Sequence, residues 1–218
     1  MSEAVPVPDP DARPAAPGRS GLASRDLAQV ATGAGLIAVL GLPGAISVLG
    51  SAVPITLQTL GVMLVGSLLG ARRGALAVLT LLVLVAAGLP LLAGGRGGLG
   101  VFAGPSAGYL VGWVVGAWVI GRLVERGRPG YRWGRGLVAN LVGGIAVVYA
   151  VGVPVQAWRT GVPLPETALL AAAFLPGDLV KAVLATGVAV SVHRALPDLL
   201  VGRPAPAGGG SGSSEAPG

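Results

Sequence analysis

The chain has 218 residues, 53% of them hydrophobic and only 11% charged, and its mean hydropathy of +0.78 exceeds what a water-soluble domain can cover with polar surface. Lipid is the solvent this composition needs. Cysteine is absent, which removes disulfides, thiolate metal sites and thiol nucleophiles, and the net charge of +6 is carried by fourteen Arg and a single Lys.

Residues 1–26 are rich in Pro and Ala, carry Glu3, Asp9 and Asp11, and lack an early apolar core, so they read as a disordered cytoplasmic arm and not as a cleavable signal. The domain that follows, 27–196, supplies six apolar stretches separated by Gly, Pro or Arg: Leu27 to Ser47, Ile55 to Gly70, Gly74 to Leu92, Gly104 to Val124, Gly136 to Trp158 and Gly177 to Leu196. Each approaches the roughly 20 residues a membrane-spanning helix needs. Pro176 and Gly177 divide the last stretch, so a short helix is expected before Pro176 and a span after it. Residues 197–218 are rich in Gly, Ser and Pro, and read as a disordered cytoplasmic tail. The predicted fold is an all-α membrane protein with six transmembrane helices.

Arginine orients the bundle. Twelve of the fourteen fall in the arm, the tail and alternate loops, whereas only Arg96 and Arg159 fall on the opposite side. Excess basic charge in short loops marks the cytoplasm, so both termini are expected inside and the loops bearing Arg96 and Arg159 outside. The alternation with apolar spans argues against a nucleic-acid patch, and no nucleic-acid partner is expected.

Asp178 is the one acidic residue inside a predicted span, and Lys181, the only Lys, lies three residues on, on the same helix face. Intramembrane charges are costly and mark functional sites by default. The same pair read as packing alone is an internal ion pair that fixes helix contacts. Between the third and fourth spans Gly94, Gly95, Gly97 and Gly98 surround Arg96, and their missing side chains let backbone groups approach a ligand. This Gly-rich run has no strand before it and no βαβ unit, so it is not a dinucleotide fingerprint. Tyr109 offers a ring with a polar tip, and Thr56 and Gln58 place polar groups at the outer end of the second span. In the first span Ala31 with Gly35, and Ala34 with Ala38, form small-x-x-x-small pairs that allow close helix approach. One His, one membrane Asp and no Walker motif leave no catalytic residues, metal ligands or cofactor to assign.

Three strings in this order resemble a known family: VPITLQTLGVMLVG from Val53, GGRGGLGVFAGPSAGY from Gly94 and FLPGDLVKAVLA from Phe174. The chain resembles BioY, the biotin-binding S component of energy-coupling-factor (ECF) transporters, over roughly Leu27 to Leu196. Ser106 stands where the family pattern has Thr, which keeps the hydroxyl. The resemblance implies an S-component-like six-helix bundle in the bacterial plasma membrane that binds biotin from the outside. It implies partners as well: a membrane T component and two cytosolic ABC ATPases that use the ATP. It also implies that Asp178 and Lys181 belong to the biotin site, and that Ala34 and Ala38 fit the first-helix docking motif. A self-sufficient carrier of an organic acid and a structural membrane protein are the alternatives.

Overall fold

The computed structural model describes residues 24–46, 52–126 and 131–196. The predicted tail, and the predicted arm up to residue 23, lie outside the described residues. Residues 24–26 do not belong to the arm: they form the first turn of helix α1, Ser24–Val39.

Helix α1 stops sooner than hydropathy implies, because Gly41, Pro43 and Gly44 follow it and Gly44 has φ of +92°. The chain then forms a short antiparallel ribbon, β1 (Ala45–Ile46) against β2 (Ile55–Thr56), with Ala45 opposite Thr56. Residues 55 and 56, expected in the second span, therefore belong to this ribbon.

Helix α2, Gln58–Ala86, joins the second and third predicted stretches through one non-helical residue, Gly70, at φ +80° and ψ −175°. The turn is a reversal. A Cβ built on Gly74 would lie 3.1 Å from Gly66 Cα, whereas residues eight apart in a straight helix are separated by about 12 Å. Residues 58–69 and 71–86 thus fold back on one another. Only glycine takes this φ without strain, and the Ala71 N–H freed by the turn is capped by Glu125 Oε1 at 2.8 Å. At the same end Arg73 Nε pairs with Asp26 Oδ1 at 2.8 Å and Arg73 Nη1 donates to Gln29 Oε1, which ties α1 to the hairpin.

Helix α3 is Ala107–Glu125. A continuous helical stretch then runs through α4 (Trp133–Ala139), a π-helical segment (Asn140–Val147) and α5 (Val148–Thr160), followed by α6 (Leu164–Ala172) and α7 (Leu175–Ala195). The short α6 is the helix expected before Pro176. Helix α3 packs tightly on the π-helical segment at Gly116 and Gly143, where a Cβ on Gly116 would sit 2.6 Å from the Gly143 carbonyl oxygen. Such contact is how helices associate where lipid supplies no hydrophobic drive.

Among the described residues, four helices are long and apolar enough to cross a membrane: Gln58–Ala86, Ala107–Glu125, Trp133–Thr160 and Leu175–Ala195. Six spans were expected. The difference arises because α1 has only 16 residues and α2 contains two stretches in one helical assignment. Apolar side chains also face outward: Leu79, Val83, Val111, Leu179, Val180 and Leu184 are all exposed, as a lipid-facing surface requires and a soluble monomer avoids.

Candidate functional site

One end of the bundle carries the hairpin reversal, the Asp26–Arg73 pair and Glu125; the other carries a cavity. This cavity lies between the β2 segment, α3, α5 and α7, and Thr59, Arg96, Tyr109, Trp113, Tyr149, Asp178 and Lys181 are in its wall.

Pro176 in the first turn of α7 starts the helix where a missing N–H costs nothing, and Asp178 and Lys181 follow on its inner face. They are 4% and 5% exposed, and Lys181 Nζ lies 2.9 Å from Asp178 Oδ1. Lys181 Nζ also donates to Thr59 Oγ1 at 2.9 Å. Thr59 Oγ1 in turn lies 3.4 Å from Asp178 Oδ1 and from the Thr56 carbonyl oxygen, one of which takes its single hydrogen. Tyr149 of α5 donates to Asp178 Oδ2 at 2.6 Å. Two charges this deep are tolerated only because they are paired and hydrogen-bonded from both α2 and α5.

Tyr109 is in the cavity wall, and its hydroxyl donates to Gln156 Oε1 at 2.8 Å. Its ring meets Tyr149 edge-on, centroids 6.3 Å apart at 78°. Thr56 borders the cavity too, and its Oγ1 accepts from the Gln58 backbone N–H at 3.3 Å at the start of α2.

Gln58 stands beside Thr56 at the start of α2. It borders the cavity but is 1% exposed, and its amide is spent on the protein. Nε2 donates to Ile37 O at 3.3 Å and Leu91 O at 3.0 Å, and Oε1 accepts from Ala93 N at 2.9 Å. It joins the end of α1 to the Gly-rich loop.

Gly94, Gly95, Gly97 and Gly98 are not in the cavity wall, where Leu92 and Arg96 represent the loop instead. The glycines shape it. Gly94, Gly95 and Gly98 have φ of +77°, +69° and +79°, and the backbone closes on itself between Leu92 and Arg96. Arg96 donates from Nε to Ala93 O at 3.2 Å, and partial burial lowers its guanidinium pKa from the usual value.

The first-helix pair is split. Ala34 is 4% exposed and packs into the core, and Ala38 is half-buried against it, because the inner face of α1 is Val30, Gly33, Ala34 and Ile37. The open face presents Ala28, Ala31 and Gly35.

Sequence reasoning missed Tyr149, Thr59 and Trp113. Thr59 lies inside the motif beginning at Val53, but a Thr at the start of an apolar helix carries no signal of its own. Tyr149 and Trp113 read as ordinary apolar span residues until the helices are packed.

Fold and site together define a polytopic membrane protein with a cavity bordered by a buried ion pair at one end of a helical bundle. The BioY family profile matches residues 13–198. The biotin transporter BioY of Rhizobium etli is 48% identical over 169 residues, covering 75% of this chain and 90% of its own length. The biotin transporter BioY of Rhodobacter capsulatus is 45% identical over 196 residues, covering 82% of this chain and 98% of its own. A crystal structure of the S-component for biotin from an ECF-type ABC transporter superposes with a TM-score of 0.74 at 31% identity, over 78% of this chain and 91% of that one. The chain belongs to the BioY family.

Proposed function

We propose that this chain is the biotin-capturing S component of an ECF-type transporter. The observation that carries the reading is the Asp178–Lys181 pair, buried yet bordering the cavity. Its carboxylate and ammonium lie side by side, the pattern needed to meet the adjacent N–H donor and carbonyl acceptor of a cyclic urea. Tyr109, Phe174 and Val148 supply apolar wall for the rest of a bicyclic ligand.

In this reading the bundle crosses the bacterial plasma membrane six times, through α1, both arms of α2, α3, the stretch 133–160 and α7. Both termini are cytoplasmic and the cavity opens outward. Energy comes from a membrane T component and two cytosolic ABC ATPases. Helix α1 docks on the T component through its open face at Ala31 and Gly35, with Ala38 at the edge.

The test is equilibrium binding of radiolabelled biotin to the detergent-purified full chain. Saturable binding that unlabelled biotin displaces is expected; its absence from folded protein would sink the reading.

A further inference from the structure

The polar groups of the cavity wall differ in how far they are engaged, and Arg96 spends its Nε on the Ala93 carbonyl oxygen. Lys181 has three N–H donors and spends two, on Asp178 Oδ1 and Thr59 Oγ1. Asp178 Oδ2 accepts from Tyr149 and retains a second lone pair. Tyr109 and Gln58 have their donors engaged within the protein. One wall residue stands apart. Trp113 of α3 is 6% exposed, and its indole Nε1 is enclosed with no hydrogen-bond partner among the described residues.

A buried indole N–H ordinarily finds an acceptor, because leaving it unpaired forfeits its hydration. If Trp113 were only apolar filler for the α3–α5 contact, Phe or Leu would pack there without stranding a donor. The cavity is the place where an acceptor can arrive, since Trp113 is in its wall with Val148 and Tyr149.

We propose that the Trp113 N–H is a ligand-recognition donor, which meets a carbonyl or carboxylate oxygen of the molecule bound in this cavity. This rests on the biotin reading and adds a requirement to it. The ligand satisfies the α7 pair and also carries an oxygen acceptor toward α3. The site thereby selects against ligands that match the pair alone, because these leave the indole unpaired.

The experiment uses the full chain in detergent with indole-15N tryptophan. The four Trp residues give four N–H resonances, and Trp113 is assigned by its loss in Trp113→Phe. Saturating biotin is expected to move the Trp113 resonance downfield while those of Trp118, Trp133 and Trp158 stay in place. Trp113→Phe, which keeps the ring and removes the donor, is expected to weaken biotin binding about ten-fold. A stationary Trp113 resonance in protein that binds biotin overturns the assignment even if the variant fails to fold. Undiminished affinity in a folded variant overturns it as well. Wild-type protein that binds no biotin at all instead overturns the biotin reading, and this assignment with it.

Discussion

Tyr149 on α5 donates its hydroxyl hydrogen to Asp178 Oδ2 on α7 across 2.6 Å, and so fixes the carboxylate from the side opposite Lys181. Tyr149→Phe keeps the ring and its edge-on contact with Tyr109 but releases Asp178. A hydrogen bond to a charged group is worth about 1.5–3 kcal/mol, and a loss in that range is expected in biotin affinity. Equal dissociation constants for the two proteins would mean that Tyr149 neither aligns Asp178 nor touches the ligand.

Lys181→Ala strands the Asp178 carboxylate, and breaking a buried pair in this way costs about 3–5 kcal/mol. Loss of function in that variant alone therefore does not identify a ligand contact. The double change Asp178→Asn with Lys181→Met strands no charge. It is expected to restore the melting temperature toward wild type but not biotin binding. Near-normal binding in the double variant would make the pair purely structural.

Gln58→Leu removes three hydrogen bonds at once and leaves Ile37 O, Leu91 O and Ala93 N without that partner. Each unsatisfied buried group costs about 1–3 kcal/mol. The expected result is a lower melting temperature together with faster amide hydrogen exchange at 91–96. If exchange in that loop is unchanged, Gln58 is not what holds the loop to α1.

The two faces of α1 allow packing to be tested apart from the proposed docking. Ala34→Leu pushes into a filled core, which typically costs about 1–3 kcal/mol, and should lower stability and binding together. Gly35→Leu adds bulk on the open face. It should leave biotin binding intact yet reduce ATP-driven uptake and co-purification with a T component. Uptake that survives Gly35→Leu and Ala31→Leu would place docking elsewhere.

Orientation is tested with accessibility tags. A tag after Arg73, at the hairpin end, should react only from the cytoplasm, and tags beside Arg96 or Thr160 only from outside. The reverse labelling pattern would invert the bundle and move the cavity to the cytoplasmic side.

The sequence by itself determined that lipid is the solvent, which stretches are apolar, and that Asp178 and Lys181 lie on one helix face. These follow from composition, run length and helical periodicity, all local properties of the chain. The short helix before Pro176 was legible for the same reason, since proline punctuates a helix wherever it lies. Tertiary structure alone decided what the polar residues do. Gln58 and Thr56 looked equivalent at the end of one span. Packing turned the Gln58 amide toward the backbone of α1 and the Gly-rich loop, where it meets two carbonyls and an N–H. The same holds for Tyr149, which joins Asp178 only when α5 and α7 meet, and for Ala34 and Gly35. Adjacent in sequence, one is buried and the other exposed because a helix turns about 100° per residue, enough to carry Gly35 past the edge of the face that packs on α2.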